Sequence, residues 1–287
     1  MKLGAAFPST EVSGNPDDVR RFVRAIEDLG YDHIMVPDHV VKPSLEDRDP
    51  PIVGPYTEKS SFHDPFVLFS FMAALTDRLH FVSGILVLPQ RQTGLVAQQA
   101  ADVDLLSRER LRLGVGVGWN PIEYAAMGQD FRTRGRRMEE QIGLLRRLWT
   151  EPLVQFRGEF DYIDRAATNP RPRRSIPIWL GGQSEPAYER AARIADGFIH
   201  ANGKGAAAGM ERVRHHLKVQ NRDEASFGSE LLTQFAKDVP ETAQKLVEWH
   251  NLGGTHCSAT STSKSLGNSM DAHIAYFAEV KHRFNRG

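Results

Sequence analysis

Residues 2–37 read KLGAAFPSTEVSGNPDDVRRFVRAIEDLGYDHIMVP, and local signals divide that stretch into three. Lys2–Phe7 is a short apolar run, the pattern of a buried strand. Asn15 suits a helix cap, Pro16 suits the first helical position, and Asp17 and Asp18 favour the positive end of the helix dipole. Val19, Phe22, Val23, Ile26 and Leu29 then recur at helical spacing until Gly30 stops the helix. Asp32–Pro37 returns as a second strand. Strand, helix, strand at this length is a βαβ unit, whose crossover lays the two strands parallel.

The alternation continues outward from there. A helix over 64–76 leads to a strand over 80–88, and a helix over 93–107 to a strand over 111–117. The helix over 133–149 puts Met138, Ile142, Leu145, Leu148 and Trp149 on one face. A strand at 176–180 precedes a helix beginning near Ser184. Strands at 197–200, 230–236 and 255–259 alternate with helices at 206–220, 241–252 and 270–284. Eight strand–helix alternations in 287 residues predict a single-domain α/β chain, residues 1–287, folded as a (β/α)₈ TIM barrel. An open doubly wound sheet is the alternative, because periodicity does not show closure. Long connections at 39–63 and 118–132 follow strands two and four, at the barrel end that carries chemistry. The connection 150–175, after helix four, includes a small hairpin over 154–163 turning at Arg157-Gly158.

Composition narrows the function classes. Basic and acidic residues balance at 36 each, which argues against a nucleic-acid footprint. No apolar stretch reaches the length of a membrane span, and the start of the chain does not read as a secretory signal. Cys257 is the single cysteine, so no internal disulfide forms and a reducing, cytoplasmic setting is expected. Spacings of the HxH, HExxH or multi-Cys kind are absent, so no metal is expected. No GxSxG elbow appears either.

Three places hold candidate chemistry. Asp38 and His39 directly follow strand two; His39 suits proton exchange near neutral pH, and Asp38 suits orienting its ring. A fixed loop pair is the plainer reading, of similar weight. Gly114-Val115-Gly116-Val117-Gly118 alternates along strand four, leaving room at Gly116 and Gly118 for a flat ring; tight wall packing is the plainer reading. It lacks the strand–GxGxxG–helix setting of a dinucleotide fold. Gly181-Gly182-Gln183-Ser184 joins a buried strand to a helix, where free N–H groups favour an anion such as phosphate; a simple turn and cap weighs equally.

Residues 111–149, LRLGVGVGWNPIEYAAMGQDFRTRGRRMEEQIGLLRRLW, together with residues 176–198, IPIWLGGQSEPAYERAARIADGF, and Val36-Pro37-Asp38-His39, resemble the luciferase-like monooxygenase superfamily. The resemblance runs over nearly the whole chain. It implies a barrel with insertions, usually a homodimer, that binds a flavin-type cofactor at its C-terminal mouth and acts on a small molecule. By position, Gly181, Gly182, Gln183 and Ser184 would hold the cofactor phosphate, and Gly116 and Gly118 would lie by the ring or ribityl chain. A cis peptide supporting the ring would fall within Ser83-Gly84-Ile85.

The Asp38-His39 pair resembles the branch that uses the deazaflavin coenzyme F420 rather than FMN. The implied chemistry is hydride transfer between the deazaflavin and a substrate carbon, with His39 in proton transfer or ring placement and Asp38 orienting it. One departure stands out: the family's sugar-phosphate dehydrogenase has a Glu proton donor where this chain has Trp119. That argues against glucose 6-phosphate and suggests that Trp119 walls an apolar substrate pocket. The alternatives are a reduced-FMN-dependent monooxygenase, a non-catalytic flavin- or deazaflavin-binding protein, and a glycosidase using Asp38 and Glu123.

Overall fold

In the computed structural model, which describes residues 1–11, 14–201, 203–234, 236–261 and 266–286, the first βαβ unit forms as its sequence dictates. Strand β1 (Lys2–Ala6) leads to helix α1 (Pro16–Asp28), and strand β2 (His33–Val36) follows. Asn15 caps α1 by accepting from the Asp17 amide at 3.0 Å. Val19, Phe22, Val23 and Ile26 are buried. Gly30 leaves the helix at φ 76°, a left-handed backbone that costs a residue without Cβ little.

The remaining elements are α2 (Pro65–Ala73), β3 (His80–Ser83), β4 (Leu86–Val87), α3 (Thr93–Leu106), β5 (Leu111–Gly116), α4 (Pro121–Ala126) and α5 (Arg134–Thr150). They continue with β6 (Val154–Arg157), β7 (Tyr162–Ala166), β8 (Ile178–Gly181), α6 (Glu185–Ile194), β9 (Gly197–His200) and α7 (Gly203–Val219). The chain closes with β10 (Gly228–Leu232), α8 (Val239–Asn251), β11 (His256–Thr260) and α9 (Met270–Phe284). The main sheet runs β3-β2-β1-β11-β10-β9-β8-β5. Its ends join where Phe81 and Val82 of β3 pair in parallel with Leu111 and Arg112 of β5. The sheet therefore has no edge, and the architecture is the closed (β/α)₈ barrel rather than the open sheet.

Differences from expectation are local. The strand expected over 80–88 is two short ones: β3 ends at Ser83, Gly84–Ile85 is a cis peptide, and β4 resumes the pairing through Leu86 with Val115. The connection 118–132 contains α4, which strand–helix counting passed over. The expected strand 230–236 begins at Gly228 and ends at Leu232, with residue 235 outside the described residues. The hairpin after the fourth barrel helix is present as antiparallel β6 and β7. Its connection is pinned by Glu140 of α5, whose carboxylate accepts from the amides of Glu159, Phe160 and Asp161 at 2.6–2.9 Å.

The inside of the barrel is layered. At the N-terminal end Glu230, fully buried, accepts from Arg112 at 2.5 Å and from Ser258 at 2.7 Å, with His33 at 2.7 Å. Burial opposes its charge, but Arg112 and His33 outweigh that and hold its carboxyl far below the ordinary range. An apolar cluster of Met35, Val82, Trp179, Ile199 and Leu232 plugs the barrel, with Trp179 and Val82 beside Arg112 and with Ile199 and Leu232 reaching the C-terminal mouth. The C-terminal mouth is left open above the plug. A separate, larger core fills the layer between barrel and helices.

Gly114 belongs to the closure. A Cβ there would overlap the carbonyl oxygen of Ser83 and come within 2.7 Å of Ile199 Cδ1. Gly114→Ala is expected to cost about 1–3 kcal/mol through forced separation of β3 and β5. Denaturant unfolding measures this, and an unchanged midpoint would mean that the junction has slack.

Candidate functional site

A cavity of about 540 Å³ opens at the C-terminal ends of the strands, a volume suited to a cofactor or small ligand. The connection 39–63, the end of β5 and the β8–α6 turn meet there. Of the residues expected from sequence, Asp38, His39, Gly84, Ile85, Gly118, Trp119, Gly181, Gly182, Gln183 and Ser184 line it together. Ser83 and Gly116 do not. Ser83 is buried behind the wall, donating to the Gly114 carbonyl at 2.8 Å. The space that Gly116 leaves is filled by Ile85: a Cβ on Gly116 would stand 2.6 Å from Ile85 Cδ1. The absent side chain thus admits Ile85, and the cavity begins beyond it.

The β8–α6 turn forms the anion-receptive wall. Ser184 stands at the cap of α6 but makes no side-chain capping bond. Pro186 has no N–H and the Ala187 amide donates to the Ser184 carbonyl at 2.9 Å, so the Ser184 and Glu185 amides are the donors that keep their capacity for a ligand. A Cβ on Gly182 would stand 2.7 Å from Ala187 Cβ, so the turn approaches its helix closely. Glu185 would oppose an anion here, but it is paired with Arg212 and with His216 at 2.6 Å. Those partners pull its carboxyl down to about 2. Arg190 also reaches the cavity, held by Glu139 at 2.7 Å.

The opposite wall carries His39, and its partner differs from the one expected. Asp38 does not orient the imidazole. Its carboxylate accepts from Arg91 Nη2 at 2.7 Å, from Arg91 Nε at 3.3 Å and from the Val87 amide at 3.0 Å. Side-chain direction explains the correction: Asp38 is turned into the wall beneath β4 and is 2% exposed. Arg91 also holds Asp64 at 2.9 Å. Burial works against the guanidinium's charge, and the two carboxylates more than restore it.

Glu123 takes the place at the ring. His39 Nδ1 lies 3.2 Å from Glu123 Oε1 and 3.4 Å from Oε2. The Tyr56 hydroxyl donates to Oε1 at 2.6 Å, and Gln90 Nε2 donates to Oε2 at 3.4 Å. Burial alone would raise the Glu123 carboxyl, but the bonds from His39, Tyr56 and Gln90 hold it below its ordinary value. The Tyr56 phenol is pushed up, first by burial and then by its bond to this carboxylate. Tyr56 stacks on His39 with centroids 3.9 Å apart, and Phe62 packs edge-on at 4.9 Å. Trp119 joins the cluster beside Tyr56 at 5.7 Å.

Glu123 lies seven residues beyond the end of β5, outside the reach that its place in sequence suggests. Helix α4 turns it back: Asn120 caps the helix by accepting from Ile122 N at 3.0 Å, and Pro121 opens it. Asn-Pro after a strand was the available signal. The glycosidase pairing loses its basis, since Asp38 is bound to Arg91 and Glu123 to three donors. Among the described residues no His, Cys, Asp and Glu cluster has the arrangement of a metal site.

An uncharacterized protein of Mycobacterium tuberculosis (strain ATCC 25618 / H37Rv) is 37% identical over 184 residues, covering 63% of this chain and 64% of that protein. The match thus spans slightly less than two thirds of that relative's length. An F420-dependent glucose-6-phosphate dehydrogenase of Amycolatopsis mediterranei (strain U-32) is 30% identical over 243 residues, 82% of this chain and 66% of the enzyme. An F420-dependent secondary alcohol dehydrogenase, solved with an F420-acetone adduct, shares the fold with a TM-score of 0.81 at 15% identity, over 99% of this chain and 98% of that one. The family model described as luciferase-like monooxygenase matches residues 1–286. With the closed barrel and its C-terminal cavity, that match makes the chain a member of the luciferase-like monooxygenase family.

Proposed function

We propose that the protein is an oxidoreductase that transfers a hydride between the deazaflavin coenzyme F420 and a small organic substrate. The observation that carries this is the facing of two unlike walls across one cavity: the uncapped Gly181–Ser184 turn and His39 with its aromatic neighbours. The residues fit the group. A glycine pair and a free helix start suit a phosphate, and Ile85, Val87, Val117 and Leu180 give apolar walls to a ring. The deazaflavin would supply hydride chemistry there: Gly181, Gly182, Gln183 and Ser184 would hold its phosphate, Gly84, Ile85 and Gly118 would line the space for its ring, and His39 would exchange a proton with the substrate.

The name of the Amycolatopsis mediterranei relative supports the deazaflavin; Trp119 argues for a substrate other than its sugar phosphate. Trp119 is 42% exposed at the cavity mouth, where an indole offers flat apolar surface rather than a proton. The same proposal takes the working form to be a cytoplasmic homodimer acting on a small molecule. Among the described residues no helix is long and apolar enough to cross a membrane.

The test is a fluorescence titration of cofactor-free protein with F420 and with FMN, each oxidised and reduced. Binding of F420 at micromolar concentration or tighter, with FMN much weaker, is the expected result. Preference for FMN would move the protein to the oxygen-using monooxygenases of the family. Failure of both would overturn the cofactor assignment. Tight F420 binding without turnover of any alcohol, aldehyde or ketone would leave the binding-protein reading in its place.

A further inference from the structure

We propose that Glu123 is the positioning residue for His39, fixing which ring nitrogen carries the proton and directing Nε2 toward the reacting oxygen. The inference rests on the hydride-transfer reading for its catalytic part, but its structural part stands on contacts in the cofactor-free protein. Asp38 is excluded from the role because Arg91 and the Val87 amide take up its carboxylate. Glu123 is 2% exposed and is reached by three side chains, those of Tyr56, His39 and Gln90.

The tautomer follows from donor and acceptor inventory. A carboxylate has only acceptor atoms, so each neighbour must donate to it. The Tyr56 hydroxyl and the Gln90 amide do so with their hydrogens. His39 does so only if Nδ1 carries the proton, which leaves the Nε2 lone pair free in the neutral ring. Among the described residues Nε2 forms no protein hydrogen bond. The ring has little freedom to turn, since Tyr56 lies over it at an interplanar angle of 37° and Phe62 closes the edge at 73°. Glu123 and the two aromatic rings together fix the proton and the aim.

This arrangement makes the connection 39–63 part of the site's chemistry. Tyr56 belongs to that connection, Gln90 follows β4, and Glu123 sits on α4. Residues from three separate parts of the chain therefore set one imidazole, and none of Tyr56, Gln90 and Glu123 adjoins His39 in sequence.

The test has two arms. In the cofactor-free protein labelled with ¹⁵N at histidine, long-range ¹H–¹⁵N spectra at neutral pH report the His39 tautomer; its resonance is assigned by its loss in His39→Ala. Wild type should show Nδ1–H and bare Nε2. Glu123→Gln retains an acceptor oxygen and should keep that tautomer, whereas Glu123→Ala should lose it. In turnover, Glu123→Ala should lower kcat by roughly a hundredfold with KM nearly unchanged, and Glu123→Gln should recover part of the loss. If the alanine variant does not fold, the paired Tyr56→Phe/Glu123→Leu variant removes both buried partners together, a change that leaves no orphaned hydroxyl.

An Nε2–H tautomer in wild type, or an unaltered tautomer without Glu123, would overturn the proposal. So would a loss confined to KM. If the wild type turned over nothing with F420, the hydride-transfer reading would fail while the spectra still decided the role of Glu123.

Discussion

Arg91→Ala is expected to destabilise the protein by about 3–5 kcal/mol, the cost of leaving buried charge without its partner. The guanidinium is 9% exposed, and its partner Asp38 is 2% exposed. Removing Arg91 strands Asp38 beneath β4 and frees Asp64 at the start of α2. Asp64 keeps its capping bonds to the amides of Phe66 and Val67, at 2.9 and 3.2 Å, so α2 itself should persist. The loss should appear in denaturant midpoints, accompanied by greater proteolysis within 39–63. Arg91→Lys should recover only part of the stability, because an ammonium cannot reproduce the two bonds to Asp38 together with the contact to Asp64. A loss under about 1 kcal/mol in the alanine variant would contradict the view that one side chain secures both carboxylates.

His39→Ala is expected to lower turnover by roughly 10²–10⁴-fold while F420 binding is largely kept. That corresponds to about 2.7–5.4 kcal/mol of transition-state stabilisation. The separation is anticipated because the Gly181–Ser184 turn lies on another wall of the cavity, held by β8 and α6 rather than by the connection 39–63. Steady-state kinetics and cofactor titration on the same preparation check it. Equal kcat in the variant would remove His39 from the chemistry. A collapse of cofactor affinity would assign it to holding the ring. The variant also leaves Glu123 with two donors in place of three, so its stability should be measured alongside.

Much of the fold was legible because each unit announces itself locally. Asn15-Pro16, the apolar face of α1 and Gly30 specify strand, helix and strand without help from distant residues. Closure was not legible: it depends on β3 meeting β5 at the Ser83–Gly114 approach, a contact between residues 31 positions apart with no periodic signature. The site divided in the same way. Gly181–Ser184 could be read because a glycine pair before a helix start is a local pattern. The partner of His39 could not. Adjacency favoured Asp38, but successive residues after a strand point to different sides, and Arg91 was free to take the nearer carboxylate. Glu123 required knowing that α4 folds back over the mouth, which is a property of packing. Gly116 shows the converse limit: a missing side chain reveals that something comes close, but not that the neighbour is Ile85.

Arg91 fastens Asp38 and Asp64, the residues that bracket 39–63, to one guanidinium. The two posts of this connection are therefore set by the barrel and not by the intervening residues. Away from His39, Tyr56 and Phe62, such a segment is expected to tolerate changes of length and composition while the scaffold and the anion-receptive turn stay as they are. Changes of substrate preference introduced through this segment should then cost little in folding stability. The same property makes it the natural place to graft a new specificity, provided that Arg91, its two carboxylates, His39, Tyr56 and Phe62 are retained.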